Sequence, residues 1–230
     1  MKILKIIVAI IIVSVMMAFG WWWFGTQKDT SSKQTIKAVH ESSDERMTKG
    51  QTDAPIQMIE YVDMMCIDCA KVHQDVTPKI QKQYIDPGKL RYEVRVVSKV
   101  HHEDADIAAE GAYCAAEQGK FWSYLDVTYQ KLRDSSDTAL GLEDVKTFAG
   151  SNARTFAEEV GLNVPSWEYC VAQGTYADVI DTHEKTMSSL NAYGTPHSVI
   201  NDEQYNGAPA YSVFKAVIDA ELTKKQEKTS

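Results

Sequence analysis

The longest apolar run of the chain lies near its N-terminus, over residues 6–24. Lys2 and Lys5 precede this run, and three tryptophans at residues 21–23 stand at its end. A helix needs about twenty apolar residues to cross the hydrocarbon core of a bilayer, and tryptophan favours the headgroup boundary. The pattern predicts a membrane anchor over residues 1–25, with a cleaved signal peptide as the alternative.

The polar stretch that follows is rich in Ser, Thr, Lys and Glu and has no apolar period. Such a composition is typical of a linker, because it offers no face that could be buried. We therefore predict a polar tether over residues 26–48, which joins the anchor to a folded domain over residues 49–226.

Apolar positions in the folded domain predict four strands. Residues 56–62 have the pattern of a buried strand, and residues 90–96 alternate apolar and charged side chains, as a half-buried strand does. Two shorter apolar runs end at Ile200 and Tyr205, with an Asn-Asp turn between them.

Helical spacing dominates the rest of the folded domain. Apolar side chains recur every four residues after the first strand, and Pro78 should kink the helix that they predict. A last helix should open at Pro209. Residues 103–190 have a helical pattern with breaks predicted at Gly119, at residues 134–136, at Gly150-Ser151 and at residues 163–165.

The order of elements is strand, helix, strand, helical block, strand, strand and helix. One α/β sheet with a helical insertion over about residues 103–190 accounts for this order, because neither half of the sheet could stand alone. The 44% apolar and 24% charged residues place the chain in the ordinary globular range.

Charge and cysteine content exclude two classes of protein. The chain has 24 basic and 32 acidic residues, a net charge of −8, whereas a nucleic-acid-binding surface needs a basic face. Four cysteines in 230 residues are too few for a small disulfide-stapled fold. They suffice for one redox pair and one structural pair.

Two of the cysteines, Cys66 and Cys69, form a Cys-x-x-Cys motif between the first strand and its helix. The free backbone N–H groups of a helix start stabilise a thiolate, which favours Cys66 as a nucleophile. Cys69 lies one turn later and can resolve a mixed disulfide, so the motif indicates thiol–disulfide exchange. A structural bridge and a zinc site remain alternatives; the zinc site would need Cys114 and Cys170 to converge on the pair.

The chain resembles the DsbA-like thiol–disulfide oxidoreductases over about residues 49–224. The resemblance rests on four segments: APIQMIEYVDMMCIDC at 54–69, AYCAAEQGKFW at 112–122, YGTPH at 193–197 and NGAP at 206–209. It implies a thioredoxin fold with an inserted α-helical domain, which agrees with the predicted order of elements.

The resemblance also implies roles for several residues. In that family a residue before a cis-proline faces the disulfide, and Thr195-Pro196 occupies this position. Glu60 matches a buried acid that assists proton transfer at the resolving cysteine, and a solvent-facing strand residue is the alternative.

Two further expectations concern the second pair of cysteines and His197. Cys114 and Cys170 match a second, structural disulfide of the family, and two buried free thiols are the alternative. His197 follows the proline and either lies near the sulfurs, where it would favour the thiolate, or points away along its strand.

The dipeptide between the redox cysteines, Ile67-Asp68, departs from the family, which usually has Pro after the first cysteine. We predict that the Asp68 carboxylate opposes a thiolate on Cys66 and makes the couple more reducing.

The function implied is that of an extracytoplasmic protein thiol–disulfide oxidase that introduces disulfides into secreted or surface proteins, without cofactor or metal. A quinone-linked membrane protein, DsbB-like or VKOR-like, would reoxidise it, and we expect a single-pass membrane protein that is monomeric. The alternative location is secretion or the periplasm.

Two alternative functions remain. One is a disulfide isomerase or reductase kept reduced by a membrane electron donor, and the other, from a different class, is a non-catalytic peptide-binding module.

Overall fold

A computed structural model describes residues 44–98, 103–136 and 142–229 of the chain. The predicted anchor and most of the predicted tether lie outside the described residues. Within the described ranges, no helix is long and apolar enough to cross a bilayer.

In the described part of the chain, a five-stranded mixed sheet forms the centre of the fold, in the order β1-β3-β2-β4-β5. Its central pair, β2 and β3, is parallel, whereas β1, β4 and β5 each run antiparallel to a neighbour. The strands are β1 (Thr48–Lys49), β2 (Ile56–Val62), β3 (Leu90–Val96), β4 (His197–Ile200) and β5 (Glu203–Asn206).

The helix after β2, α1, has two π-helical stretches. Its segments are Ile67–Lys71 (α), Val72–Val76 (π), Thr77–Ile80 (α) and Gln81–Ile85 (π). The first π stretch ends just before Pro78, which has no N–H to donate to the preceding turn. The backbone N–H of Thr77 reaches back five residues to the carbonyl of Val72. The irregularity expected at Pro78 therefore takes the form of a π-turn.

Among the described residues, five helices separate β3 from β4 and form the inserted helical part, as predicted. They are α2 (Glu103–Glu117), α3 (Phe121–Ser136), α4 (Leu142–Glu159), α5 (Val164–Ala172) and α6 (Ala177–Ser189). The Asn163 side chain caps α5 by accepting the backbone N–H of Ser166, so the break expected at residues 163–165 is confirmed. The chain closes with α7 (Tyr211–Thr229).

The predicted break at Gly150-Ser151 is wrong, because α4 runs straight through both residues. A Cβ atom at Gly150 would lie 2.3 Å from the backbone oxygen of Asp104 in α2. The glycine therefore permits close packing of two helices and does not end one.

The folded domain begins before residue 49, contrary to the predicted boundary. A 3-10 turn at Glu45–Met47 leads into β1, which pairs with β3, and Met47 is 1% exposed within the core. The Arg46 guanidinium donates to the phenol of Tyr176. At the other end, α7 continues to Thr229, beyond the predicted residue 226.

The two faces of the sheet bury different clusters. Met58 and Val62 of β2 face the large core shared with α1 and the inserted helices. Ile59 and Tyr61 point to the opposite face, where Met187 of α6 covers them. This alternation decides which strand residues lie beneath the redox motif.

Candidate active site

Cys66 occupies the N-cap position of α1, immediately after the turn that leaves β2. Its Sγ atom accepts the backbone N–H of Cys69 at 3.2 Å, and its thiol donates to the carbonyl of Thr195 at 3.3 Å. The sulfur is partly accessible, whereas Cys69 is 1% exposed, and both carry free thiols. The motif therefore presents one reachable sulfur and one buried sulfur.

The loop before β4 brings a second segment to the motif. The Thr195–Pro196 peptide bond is cis, as the resemblance implied. The Thr195 carbonyl accepts the thiol of Cys66, across 129 positions of sequence.

The two thiols have pKa values shifted in opposite directions. The hydrogen bond with the Cys69 side chain is the main cause that lowers the pKa of Cys66, with help from Thr195 and the Cys69 backbone N–H. Burial raises the pKa of Cys69 well above its ordinary value, and the Cys66 thiol next to it raises it further. Cys66 is thus the thiolate-forming partner, and Cys69 holds its proton.

Glu60 lies beneath the motif, on the face of β2 that points to the large core. It is 2% exposed, and its carboxyl accepts the phenol O–H of Tyr92. Burial raises its pKa, opposed by the bond from Tyr92 and by the charge of His73. The alternative of a solvent-facing strand glutamate is therefore excluded, and the predicted proton-transfer role has the burial that it requires.

Ser198 of β4 stands directly opposite Glu60 across the β2–β4 ladder. Its hydroxyl and the Oε1 atom of Glu60 are both buried and have no hydrogen-bond partner among the described residues. Two polar atoms on one buried face thus remain available near the redox pair.

His197 lies on the wrong face of the sheet for the predicted redox role. It pairs with Tyr61 across β2–β4, and cross-strand partners share a face. Its ring lies 6.2 Å from that of Tyr61, and its Nδ1 atom bonds the Asn206 side chain at 2.9 Å. The expectation that His197 approaches the sulfurs is therefore wrong, and the alternative orientation is confirmed.

Asp68 points to solvent in the first turn of α1. Its side chain is 59% exposed and forms an ion pair with Lys71 at 3.0 Å. Ile67, beside it, packs partly against the core. The influence of Ile67 and Asp68 on the redox couple stays a prediction.

A different acid, Asp63, opposes the thiolate of Cys66. It is 3% exposed, at the end of β2, and its side chain accepts the backbone N–H of Met65 at 2.8 Å. No sequence motif pointed to this residue, although it lies only three residues before Cys66.

Comparison with known proteins agrees with this geometry. A family model described as thioredoxin matches residues 42–220. The chain belongs to the thioredoxin family. The relatives that it matches include the disulfide bond formation protein D of Bacillus subtilis, which is 24% identical over 180 residues, 76% of this chain and 77% of that protein.

Solved structures share the fold of this thioredoxin-family chain. The oxidised BdbD of Bacillus subtilis superposes with a TM-score of 0.64 at 22% identity, over 77% of this chain and 92% of that one. The α-DsbA1 protein of Wolbachia pipientis gives a TM-score of 0.66 at 22% identity, over 80% of this chain and 94% of that one. The fold is a thioredoxin fold with a helical insertion, and the chain is a DsbA-like thiol–disulfide oxidoreductase.

The remaining cysteines of this oxidoreductase form a disulfide apart from the redox pair. Cys114 of α2 and Cys170 of α5 are bonded to each other, with their Cα atoms 6.0 Å apart. They therefore cannot complete a zinc site with Cys66 and Cys69. Among the described residues, no group of three or more His, Cys, Asp or Glu side chains is arranged to hold a metal ion.

Proposed function

We propose that this chain is a membrane-anchored disulfide oxidase that acts outside the cytoplasm on secreted or surface proteins. The observation that carries the proposal is the asymmetry of the two thiols. Cys66 is accessible and its pKa is lowered, whereas Cys69 is buried and its pKa is raised. A substrate thiolate therefore attacks the disulfide at the accessible sulfur, that of Cys66, and the buried sulfur of Cys69 is the leaving group.

The first step is the attack of a substrate thiolate on Sγ of Cys66 in the oxidised enzyme. The bond between Cys66 and Cys69 breaks, a mixed disulfide with the substrate forms, and Cys69 leaves as a thiolate. Because burial strongly disfavours this thiolate, Cys69 takes up a proton. The proposed donor of this proton is Glu60, a buried acid whose pKa is raised by burial.

The second step releases the oxidised substrate. A second substrate thiolate attacks the substrate sulfur of the mixed disulfide, and Cys66 leaves as a thiolate. The N–H of Cys69 and the start of α1 stabilise this leaving group. Two electrons have then passed from the substrate to the enzyme, whose cysteines are reduced.

Substrate binding is expected along the loop that carries Thr195 and Pro196. Tyr193, two residues before Thr195, is 89% exposed and offers an aromatic surface on this loop. The substrate is thus an extended, unfolded segment with a reactive cysteine.

Reoxidation requires an electron acceptor, and the proposed acceptor is a quinone-linked membrane protein of the DsbB or VKOR kind. An N-terminal anchor over residues 1–25 would hold both proteins in the same membrane. A membrane-impermeant maleimide applied to intact cells tests this location. Labelling of reduced Cys66 supports it, and labelling only after lysis contradicts it.

A disulfide reductase or isomerase is the second candidate, favoured by the buried acid Asp63 that opposes the Cys66 thiolate. The thiol state of Cys66 and Cys69 in growing cells separates the two candidates, since alkylation adds mass only to free thiols. A mostly oxidised pair supports the oxidase, and a mostly reduced pair supports the reductase or isomerase. If the purified chain neither reduces insulin nor oxidises a reduced peptide, both enzymatic candidates are excluded. A non-catalytic peptide-binding module would then be the remaining candidate.

A further inference from the structure

The three residues before the cis-proline have backbone N–H groups that the fold does not use. Within the described part of the chain, the N–H groups of Tyr193, Gly194 and Thr195 have no hydrogen-bond partner. The residue before them is held in place, because the N–H of Ala192 donates to the Met187 carbonyl at 2.9 Å. The unpaired groups are therefore confined to residues 193–195, which we call the open segment.

Space for a second chain lies along the open segment. A Cβ atom added at Gly194 would meet no other heavy atom within 4 Å. The Tyr193 side chain is 89% exposed. Unpaired backbone groups that are open to solvent are the groups with which an extended peptide pairs. The open segment is thus suited to hold a substrate in an extended conformation.

The redox sulfur fixes where a substrate cysteine lies on the open segment. The thiol of Cys66 donates to the Thr195 carbonyl at 3.3 Å. In the mixed disulfide of the proposed reaction, the substrate sulfur is bonded to the Sγ atom of Cys66. The reactive cysteine of the substrate therefore lies beside Thr195.

Tyr193 is within reach of a substrate side chain near that cysteine. Two residues of chain span at most about 7 Å, so the Cα atoms of Tyr193 and Thr195 are no farther apart than this. Successive side chains of an extended peptide point to opposite sides, and those two positions apart point to the same side. The nearest substrate residue on the side of the reactive cysteine is therefore two positions away, where it meets the Tyr193 ring.

The chemistry of Tyr193 and the charge of the chain indicate which side chain fits best. The face of a tyrosine ring attracts cations, and the planar guanidinium of arginine can also stack on it. The chain has a net charge of −8, which attracts cationic segments and repels acidic ones. An apolar side chain gains less, because a single exposed ring offers little surface against which to bury it.

We propose that Tyr193 determines substrate specificity by selecting segments with an arginine two positions from the reactive cysteine. The arginine stacks on the Tyr193 ring while the open segment pairs with the substrate backbone. The inference rests on the proposed function, because it requires that a substrate cysteine reacts with Cys66. It does not depend on the direction in which the enzyme moves electrons, since the mixed disulfide is common to both directions.

Short peptides with one cysteine test this proposal. The oxidised full chain in detergent is mixed with each reduced peptide, and rapid acid quench gives the second-order rate constant for loss of the Cys66–Cys69 disulfide. One peptide has alanine at all other positions, and two have a single arginine, two positions before or two positions after the cysteine. Lysine, phenylalanine and glutamate replace the arginine in three further pairs.

The parent enzyme should react about 2–5-fold faster with at least one arginine peptide than with the alanine peptide. Rates are compared per peptide thiolate, which removes the effect of the arginine charge on the thiol pKa of the peptide. Lysine should give a smaller gain, because its ammonium group does not stack, and glutamate should give none. Equal rates for the arginine and alanine peptides, or a larger gain with phenylalanine than with arginine, would overturn the proposal.

Tyr193→Ala should abolish the preference for arginine, whereas Tyr193→Phe should keep it because phenylalanine retains the ring. The side chain is 89% exposed, so its removal costs little packing. Neither variant changes the net charge, so a preference that came from long-range attraction would persist in both. Persistence of the preference in Tyr193→Ala would contradict the assignment.

Tyr169→Ala is the matched control. Tyr169 is 70% exposed and lies on α5 in the helical insertion. The variant removes the same side chain from another part of the surface, so it should keep the preference of the parent enzyme. If it loses the preference as Tyr193→Ala does, the effect is not local to the open segment and the proposal fails.

Dithiothreitol separates failure of this inference from failure of the proposed function. This small dithiol has no side chain that could reach Tyr193. If the parent enzyme oxidises dithiothreitol but shows no preference for arginine, only the role of Tyr193 is overturned. If the parent enzyme does not oxidise dithiothreitol, exchange through Cys66 is overturned as well.

Discussion

The two redox thiols differ in accessibility, and this difference predicts what each single variant does. Cys69→Ser should accumulate mixed disulfides between substrates and Cys66, because the partly exposed sulfur still reacts and nothing resolves the adduct. Cys66→Ser should lose all exchange, because Cys69 is 1% exposed. Peptide mapping of trapped adducts checks both outcomes. Adducts found on Cys69 in the Cys66→Ser protein would reverse the assignment.

The two acids on either side of Cys66 in the sequence, Asp63 and Asp68, differ in exposure. Asp63 is buried and opposes the Cys66 thiolate, whereas Asp68 is 59% exposed and paired with Lys71. Solvent and the lysine screen Asp68, so its influence is expected to be smaller than the sequence suggested.

Asp63→Asn should raise the reduction potential more than Asp68→Asn does. Asparagine keeps the Oδ1 atom that accepts the Met65 N–H, and it removes the negative charge. We expect a rise on the order of 10–30 mV for Asp63→Asn and less than about 10 mV for Asp68→Asn, where about 30 mV corresponds to a tenfold change in the equilibrium constant. Titration against glutathione measures both values. A larger rise of the reduction potential in Asp68→Asn than in Asp63→Asn would contradict the conclusion that Asp63 is the acid that opposes the Cys66 thiolate.

At the scale of elements, the Cys114–Cys170 disulfide ties α2 to α5. Trp167 of α5 reinforces this contact, because its indole N–H donates to the carbonyl of Gly111 in α2 at 2.8 Å. A Cβ atom at Gly111 would lie 2.7 Å from the Trp167 ring, so only glycine lets the two helices approach this closely. The disulfide is thus part of a packed interface between two inserted helices.

The double variant Cys114→Ser, Cys170→Ser should lower stability and leave exchange intact. The bridge spans 56 positions, and the chain-entropy relation gives about 4 kcal/mol for a loop of this size, less any strain. Urea unfolding gives the free energy of unfolding, and insulin turnover at low temperature gives the activity. Loss of turnover at unchanged stability would instead mean that the second pair carries electrons.

At the scale of the whole molecule, α6 covers the face of the sheet opposite the redox motif. His183 of α6 bonds the buried phenol of Tyr113 through Nδ1 at 2.8 Å. Burial lowers the pKa of His183 from 6.5 to about 4, with a further contribution from Arg95. The folded protein therefore holds this histidine neutral over a range in which the unfolded chain protonates it.

Stability should fall as the pH drops from about 6.5 to about 4. In that window the unfolded state binds one more proton at His183 than the folded state does, so acid favours unfolding. At 1.36 kcal/mol for each pKa unit, the difference between 6.5 and about 4 amounts to roughly 3 kcal/mol at most. His183→Gln should flatten this part of the curve of unfolding free energy against pH. Parallel curves for the parent and the variant would exclude His183 as the cause.

Local sequence patterns determined the elements and the chemistry of the motif. The apolar runs of β2 and β3, the cap at Asn163 and the cysteines at the start of α1 each depend on residues close together in the chain. Short-range periodicity and helix-end chemistry therefore sufficed to place a redox pair between a strand and a helix. The resemblance added the cis-proline and the second disulfide, which no local pattern encodes.

Tertiary structure alone decided which side chains meet across elements. His197 points away from the sulfurs because its register with Tyr61 assigns it to the opposite face, and a shift of one residue would have reversed that result. That residues 45–49 belong to the folded domain depended on the pairing of β1 with β3, in which Thr48 lies opposite Glu93, 45 positions later. Patterns along a chain specify the face of an element, whereas the partner on that face is set by packing.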